Sequence, residues 1–259
     1  MNNPTANPNV SQSSGFSFDT LQRPTSTVIR PTPAKQSITP ACFRTGFVRA
    51  AHPRVFSVRL RSDSAEALAE VLPLFLCGEE SAVLTFGQLS AMDSLSAVDR
   101  GRLSEIGNDE AWHEIWLSGL RAGLPTPRTE STGSREMRLF YLSLNDARIG
   151  MHLARIAALD SAVCVILGLL RRRHGALASD ARLSDLFARI HRDEARHAQI
   201  AAIFARQRES ALDVYHTAHA TRTSLIRLLL ARADALEGLA ICPDRLIRRL
   251  SHLPGQLLS

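Results

Sequence analysis

The sequence predicts an all-α fold, a four-helix bundle with additional C-terminal helices, and three observations carry that prediction. From Ser64 onward apolar residues recur at spacings of three and four, the period of a helix that buries one face. Aromatic residues make up 5% of the chain while Ala, Leu and Arg abound, a composition that favours helices over sheets. One pattern, Asp-Glu-Ala-x-His, occurs twice, each time inside a periodic stretch.

Residues 1–40 are rich in Asn, Pro, Ser and Thr and show almost no apolar periodicity, so they are expected to form a disordered tail. Residues 41–63 contain the alternating run Val55–Leu60, which fits an extended arm or a short strand equally well. The helical domain is expected over 64–259, with its core bundle at about 64–210. The first helix begins near Ser64, with a break or kink at Pro73, and continues through Leu76, Glu79, Val83 and Phe86. The second covers about Ser94–Ala122, interrupted near Gly107 and stopped by Gly123-Leu124-Pro125. The polar stretch Pro-Thr-Pro-Arg-Thr-Glu-Ser-Thr-Gly-Ser then reads as a loop. A long third helix is expected over Ser134–His174, a fourth over Ala181–Glu209, a fifth over Ala211–Ala240 and a short sixth over Asp244–Leu250.

Two Glu-x-x-His copies give the chemistry: Asp109-Glu110-Ala111-Trp112-His113 and Asp193-Glu194-Ala195-Arg196-His197. Glu and His three apart project from one side of a helix, so both can bind one metal ion. Both pairs also sit in core phase. Leu103, Ile106, Glu110, His113, Leu117 and Leu120 form one stripe, and Leu183, Phe187, Ile190, Glu194, His197, Ala201 and Phe204 form another. An unpaired carboxylate in an apolar stripe is costly, so it calls for a cation or a strong hydrogen-bond partner. Two ions need further anionic ligands. Phase selects Glu79 over Glu80 in the first helix, and Asp160 is the acid of the third. The candidate metal ligands are therefore Glu79, Glu110, His113, Asp160, Glu194 and His197. The competing reading for Asp160 is a buried ion pair with Arg155 or another arginine. Asp109 and Asp193 either orient a ligating His of the other motif or are surface acids.

The order carboxylate, Glu-x-x-His, carboxylate, Glu-x-x-His resembles the ferritin-like di-iron carboxylate superfamily, over about residues 64–210. The departure is Asp160, where members most often carry Glu. The resemblance implies two iron ions, or manganese in one position, and dioxygen as co-substrate. It also implies an oxygenase or oxidase acting by hydroxylation, N-oxygenation or desaturation, with Glu110 and Glu194 at the reacting centre. The substrate would be a small molecule, free or held on an acidic carrier protein, with an external electron donor. Some similarity to the para-aminobenzoate N-oxygenase branch raises His191 as an extra ligand, although it precedes Glu194 by three residues rather than four. An iron-handling ferritin or rubrerythrin-like protein, a tRNA hydroxylase and a non-catalytic partner-binding bundle are the rival readings.

The remaining composition bounds these readings. The net charge is +6 and Lys35 is the only lysine, so the excess is arginine, concentrated in Arg171-Arg172-Arg173 and from Arg222 to Arg249. An acidic partner would fit that charge, and so would a solvated surface. Cys42, Cys77, Cys164 and Cys242 lack metal-binding spacing, and Cys77 and Cys164 lie in apolar runs as buried free thiols do. With no membrane-length apolar run or secretory signal read from the sequence, a cytoplasmic protein is expected, and a homodimer is compatible with the sequence. No Gly-rich phosphate loop or Ser/His/Asp arrangement competes with the metal reading.

Overall fold

The computed structural model describes residues 55–127, 130–173 and 175–253, so the expected tail over 1–40 and the start of the arm lie outside the described residues. The described chain is all-helical: α1 Ser62–Ser90, α2 Ala97–Ala122, α3 Glu130–Ser143, α4 Ile149–Leu170, α5 Ala181–Arg208, α6 Ala211–Leu230, α7 Ala233–Gly238 and α8 Pro243–Ser251, with a 3-10 turn at Ala176–Ser179. Residues 55–61 form neither helix nor strand. They run along the helices, with the Phe56 N–H donating to the Gly119 carbonyl at 3.2 Å and the Arg59 N–H to Asp180 at 2.8 Å.

Short polar residues start α2, α5 and α6. Ser96, Asp180 and Ser210 accept hydrogen bonds from the Asp99, Leu183 and Asp213 N–H groups, which the first turn of a helix cannot satisfy internally. Asp180 serves twice, since its second oxygen holds the arm through Arg59.

α1 packs along α2 and α4 along α5, while α6 lies on α4, α7 on α1, and α8 against both α6 and α4. Two apolar clusters fill the bundle. One contains Phe75, Leu117, Leu120, Ile166, Phe187 and Ile190. The other contains Phe86, Leu103, Ile106, Ile156, Ala201 and Phe204. On every one of these four helices the candidate ligands fall between the two clusters, so a polar layer is sealed between apolar ones.

Several element boundaries differ from expectation. The expected third helix is two, broken at residues 144–148. Arg155 causes the break to persist: its guanidinium donates to the carbonyls of Ser143 (3.0 Å) and Asn145 (2.7 Å) and pairs with Asp146 at 2.9 Å. That capture satisfies carbonyls left over at the end of α3. The fifth helix likewise splits into α6 and α7, and α7 closes on Ala240 with a left-handed φ of 57°. Pro73 does not end α1, because its neighbours Leu72, Leu74 and Phe75 are buried and hold the helix through it. Gly107 does not interrupt α2. A Cβ there would sit 3.2 Å from Phe86 Cβ, so this glycine admits close approach of α1. The loop expected after Pro125 turns helical at Glu130.

α4 is, contrary to expectation, long and apolar enough to cross a membrane, but 67% of its most apolar window is buried inside the fold, as in a core helix. Cys164 and Cys242 are free thiols, whereas Cys77 is disulfide-bonded, which corrects its reading as a free thiol.

Candidate metal centre

α1, α2, α4 and α5 each bring their acid or acid-histidine pair to the middle of the bundle. Glu79, Glu110, His113, Asp160, Glu194 and His197 are all buried, and both histidines have no exposed surface. Glu80, the neighbour of Glu79, is only half-buried, so the helix phase selects Glu79.

Glu79, Glu110, His113 and Glu194 offer ligand atoms that all lie within 4.8 Å of one another. His113 Nδ1 stands 3.2 Å from Glu110, 3.4 Å from Glu194 and 3.5 Å from Glu79. One ring nitrogen can donate to only one of those three acids, so the convergence asks for something more than a proton. His197 Nδ1 lies 3.0 Å from the other Glu110 oxygen, yet it makes no hydrogen bond. Glu110 is thus the carboxylate within reach of both histidines. Asp160 stands outside the tightest group, and its Oδ2 is buried without a partner. Arg155 is taken up by Asp146 and the α3 carbonyls, and among the described residues no other arginine pairs with Asp160, which removes the ion-pair reading.

The outer nitrogens are held crosswise. Asp193 on α5 lies 3.3 Å from His113 Nε2 on α2, and Asp109 on α2 lies 3.4 Å from His197 Nε2 on α5. Each aspartate of one motif therefore sets the ring of the other. With Nε2–H donated outward, the Nδ1 lone pair is left facing the carboxylates. Arg196 in turn pairs with Asp109.

Electrostatics agree with a missing positive charge. Burial, and then the Glu110 charge, raise Glu79 well above the ordinary carboxylate range. Burial likewise raises Asp160, helped by Glu194 and Glu110, and raises Glu194, helped by Glu110. Glu110 moves the other way: burial pushes it up, but the neighbouring His113, His197 and Glu79 side chains together hold it low. His197 is pushed up to about 10 against its burial, by Asp109 and Glu110, and His113 is raised against its burial by Glu79 and Asp193. With protons as the only cations, four acids and two histidines satisfy one another poorly. Glu79, Glu110, His113 and Glu194 could together hold a metal ion, and Asp160 Oδ2 and His197 Nδ1, which make no hydrogen bond, are further donor atoms. The residues fit a metal centre.

His191 is not brought to this group. It lies half-buried between the helices, with Nδ1 3.5 Å from Arg171 and its carbonyl accepting from Cys164. His152 is structural: its Nδ1 accepts from the Asp146 N–H at 3.4 Å in the α3–α4 connection. Phe75, Phe86, Met151 and Phe187 are buried core side chains.

Two neighbours were not legible in the sequence. Tyr141 of α3 donates to the Leu74 carbonyl at 2.8 Å, and its hydroxyl is raised by burial and by Glu79, Glu194 and Asp160. The unrecognised break before α4 hid its approach to α1. Trp116 lies 5.8 Å from the His113 ring, stacks on Trp112 at 6.2 Å and carries Arg189 on its face at 4.6 Å. The spacing of the tryptophans was visible, but not this contact with the site.

No protein-family model, curated protein or solved structure matches this chain.

Proposed function

We propose that this chain is a ferritin-like, non-haem di-iron oxidoreductase that uses dioxygen to oxidise a small-molecule substrate. The observation that carries the reading is the buried convergence of Glu79, Glu110, His113 and Glu194, joined by the unpartnered atoms of Asp160 and His197. A core built only for packing or partner specificity would leave those atoms satisfied by one another.

In this reading Glu79, Glu110, His113, Asp160, Glu194 and His197 would hold the two ions. Two iron ions held by mixed carboxylates and imidazoles supply two-electron chemistry with dioxygen. The chain's own residues do the rest. Asp193 and Asp109 fix the histidine tautomers, so that each ring presents Nδ1 inward. The apolar clusters above and below exclude water, which strengthens each charge interaction at the centre. Because three of the acids are raised by burial, they hold protons when no cation is present and release them as one binds. A small-molecule substrate and an external electron donor belong to the same proposal. The disulfide at Cys77 weighs against a strongly reducing compartment.

The test is metal content after expression in iron-supplemented cells, compared with Glu110→Ala and Glu194→Ala. About two irons per chain are expected, falling towards zero in both variants. Absence of any transition metal, even after anaerobic ferrous reconstitution, would overturn the proposal and leave a partner-binding bundle as the better account.

A further inference from the structure

Away from the metal centre, α8 and the C-terminal half of α4 border an open groove of about 780 Å³, lined by Val165, Arg245, Arg248, Arg249, His252 and Leu253. The sequence of α8, Pro-Asp-Arg-Leu-Ile-Arg-Arg-Leu-Ser, explains how it forms. Leu246 and Leu250 are buried against the bundle, and this phase turns Arg245, Arg248 and Arg249 outward together. Arg172, just past the end of α4, joins them. Its guanidinium is held below its ordinary value, first by desolvation and then by the charges of Arg245 and Arg249. Like charges gathered this closely repel, and among the described residues no carboxylate pairs with any of these four arginines.

Behind the groove stands a second uncompensated cation. Arg222 of α6 is only 4% exposed, donates to the carbonyl of the groove residue Leu253 at 3.3 Å, and keeps a buried Nε without a partner. His252 donates its Nδ1–H to the Arg248 carbonyl at 2.8 Å, which leaves Nε2 as the ring's remaining polar atom.

We propose that this groove is a binding site for a phosphate monoester, with the phosphate on the arginines and the organic group over Val165 and Leu253. Three arginines lining one groove, with Arg172 nearby, match a dianionic phosphate better than a single carboxylate. The volume lies within the range of small-molecule sites. A membrane surface fits less well, because Leu246 and Leu250 of α8 are buried against the bundle and leave no broad apolar face to insert. A nucleic acid fits less well too, since the cations gather in one cavity rather than along a strip that could follow a backbone. The site shares no residue with the metal centre, so neither proposal rests on the other.

The experiment is calorimetric titration of the full chain with phenyl phosphate, inorganic phosphate and a single-stranded oligonucleotide at one fixed ionic strength. The oligonucleotide titration is repeated at a second, higher salt concentration. Phenyl phosphate should bind at one site, about tenfold more tightly than inorganic phosphate, because the ring adds apolar burial. Arg245→Ala/Arg249→Ala should weaken phenyl phosphate at least about tenfold, with the helical circular dichroism unchanged. Arg102→Ala/Arg182→Ala, which removes equal charge from exposed positions elsewhere, should leave binding unchanged. Equal weakening by both double variants, no binding of phenyl phosphate, or an oligonucleotide that binds more tightly with a steep salt dependence would each overturn the proposal.

Discussion

Removing the metal should make the stability of this chain fall with rising pH, and adding it back should reverse that trend. His197 is held near 10 when folded, against about 6.5 for an unperturbed histidine. Its protonation therefore stabilises the metal-free fold fully below about pH 6.5, and that contribution is lost as pH rises towards 10. His113 is raised as well and acts in the same direction. Glu79, Asp160 and Glu194, raised by burial, also keep protons in the fold that the unfolded chain releases. Glu110 alone opposes them, since a lowered carboxyl contributes stability above its ordinary range and loses it on acidification. Each proton kept only by the folded form costs about 1.4 kcal/mol of stability per pH unit as the pH rises.

Metal binding displaces those protons, so affinity should rise with pH by the same amount per proton. For a domain of this size that corresponds to about 3–6 °C in Tm per pH unit for each proton displaced. The assay is thermal unfolding of chelator-treated protein with and without zinc(II), an air-stable divalent probe, at pH 6.0, 7.0 and 8.0. The difference in Tm between the two conditions cancels titrations elsewhere in the chain. It should widen steadily with pH, and it should vanish in the Glu110→Ala/Glu194→Ala variant. A difference that stays constant or narrows over this range would refute the assignment of the buried protons to the metal site.

Three further outcomes follow from particular contacts. Asp193→Ala removes the acid facing His113 Nε2, and should weaken metal binding about 10–100-fold in competition with a chelator while the ligands themselves remain. Gly78→Ala would place a Cβ 2.8 Å from the Tyr141 hydroxyl, forcing that ring off the Leu74 carbonyl. It should cost about 1–3 kcal/mol, read as a lower urea midpoint at unchanged m-value. Ala240→Gly should stabilise the chain by about 1 kcal/mol, because Ala240 holds a φ of 57° that glycine adopts without strain, and the same urea titration measures it.

Much of the centre could be read from periodicity. The stripes through Ile106-Glu110-His113-Leu117 and Ile190-Glu194-His197-Ala201 are buried throughout, because a helix with one apolar face must turn every residue of that phase inward, polar ones included. The same rule chose Glu79 over Glu80 and placed Asp160 inside. What the pattern could not supply was anything depending on a distant partner. Periodicity ran straight through residues 144–148, since the break is held by Arg155 reaching back across the chain to carbonyls that carry no side-chain signal. Pro73 and Gly107, breakers by local preference, were overridden by packing.

The all-helical class and the residues of the polar layer were thus determined by the sequence itself, because helix period and burial are local properties. Only the tertiary structure decided that Asp193 meets His113 and Asp109 meets His197, that Tyr141 reaches the site, and that α8 gathers its arginines against Arg172. These contacts join residues tens of positions apart. Their geometry depends on how whole helices are set against one another, which no single stretch of sequence encodes.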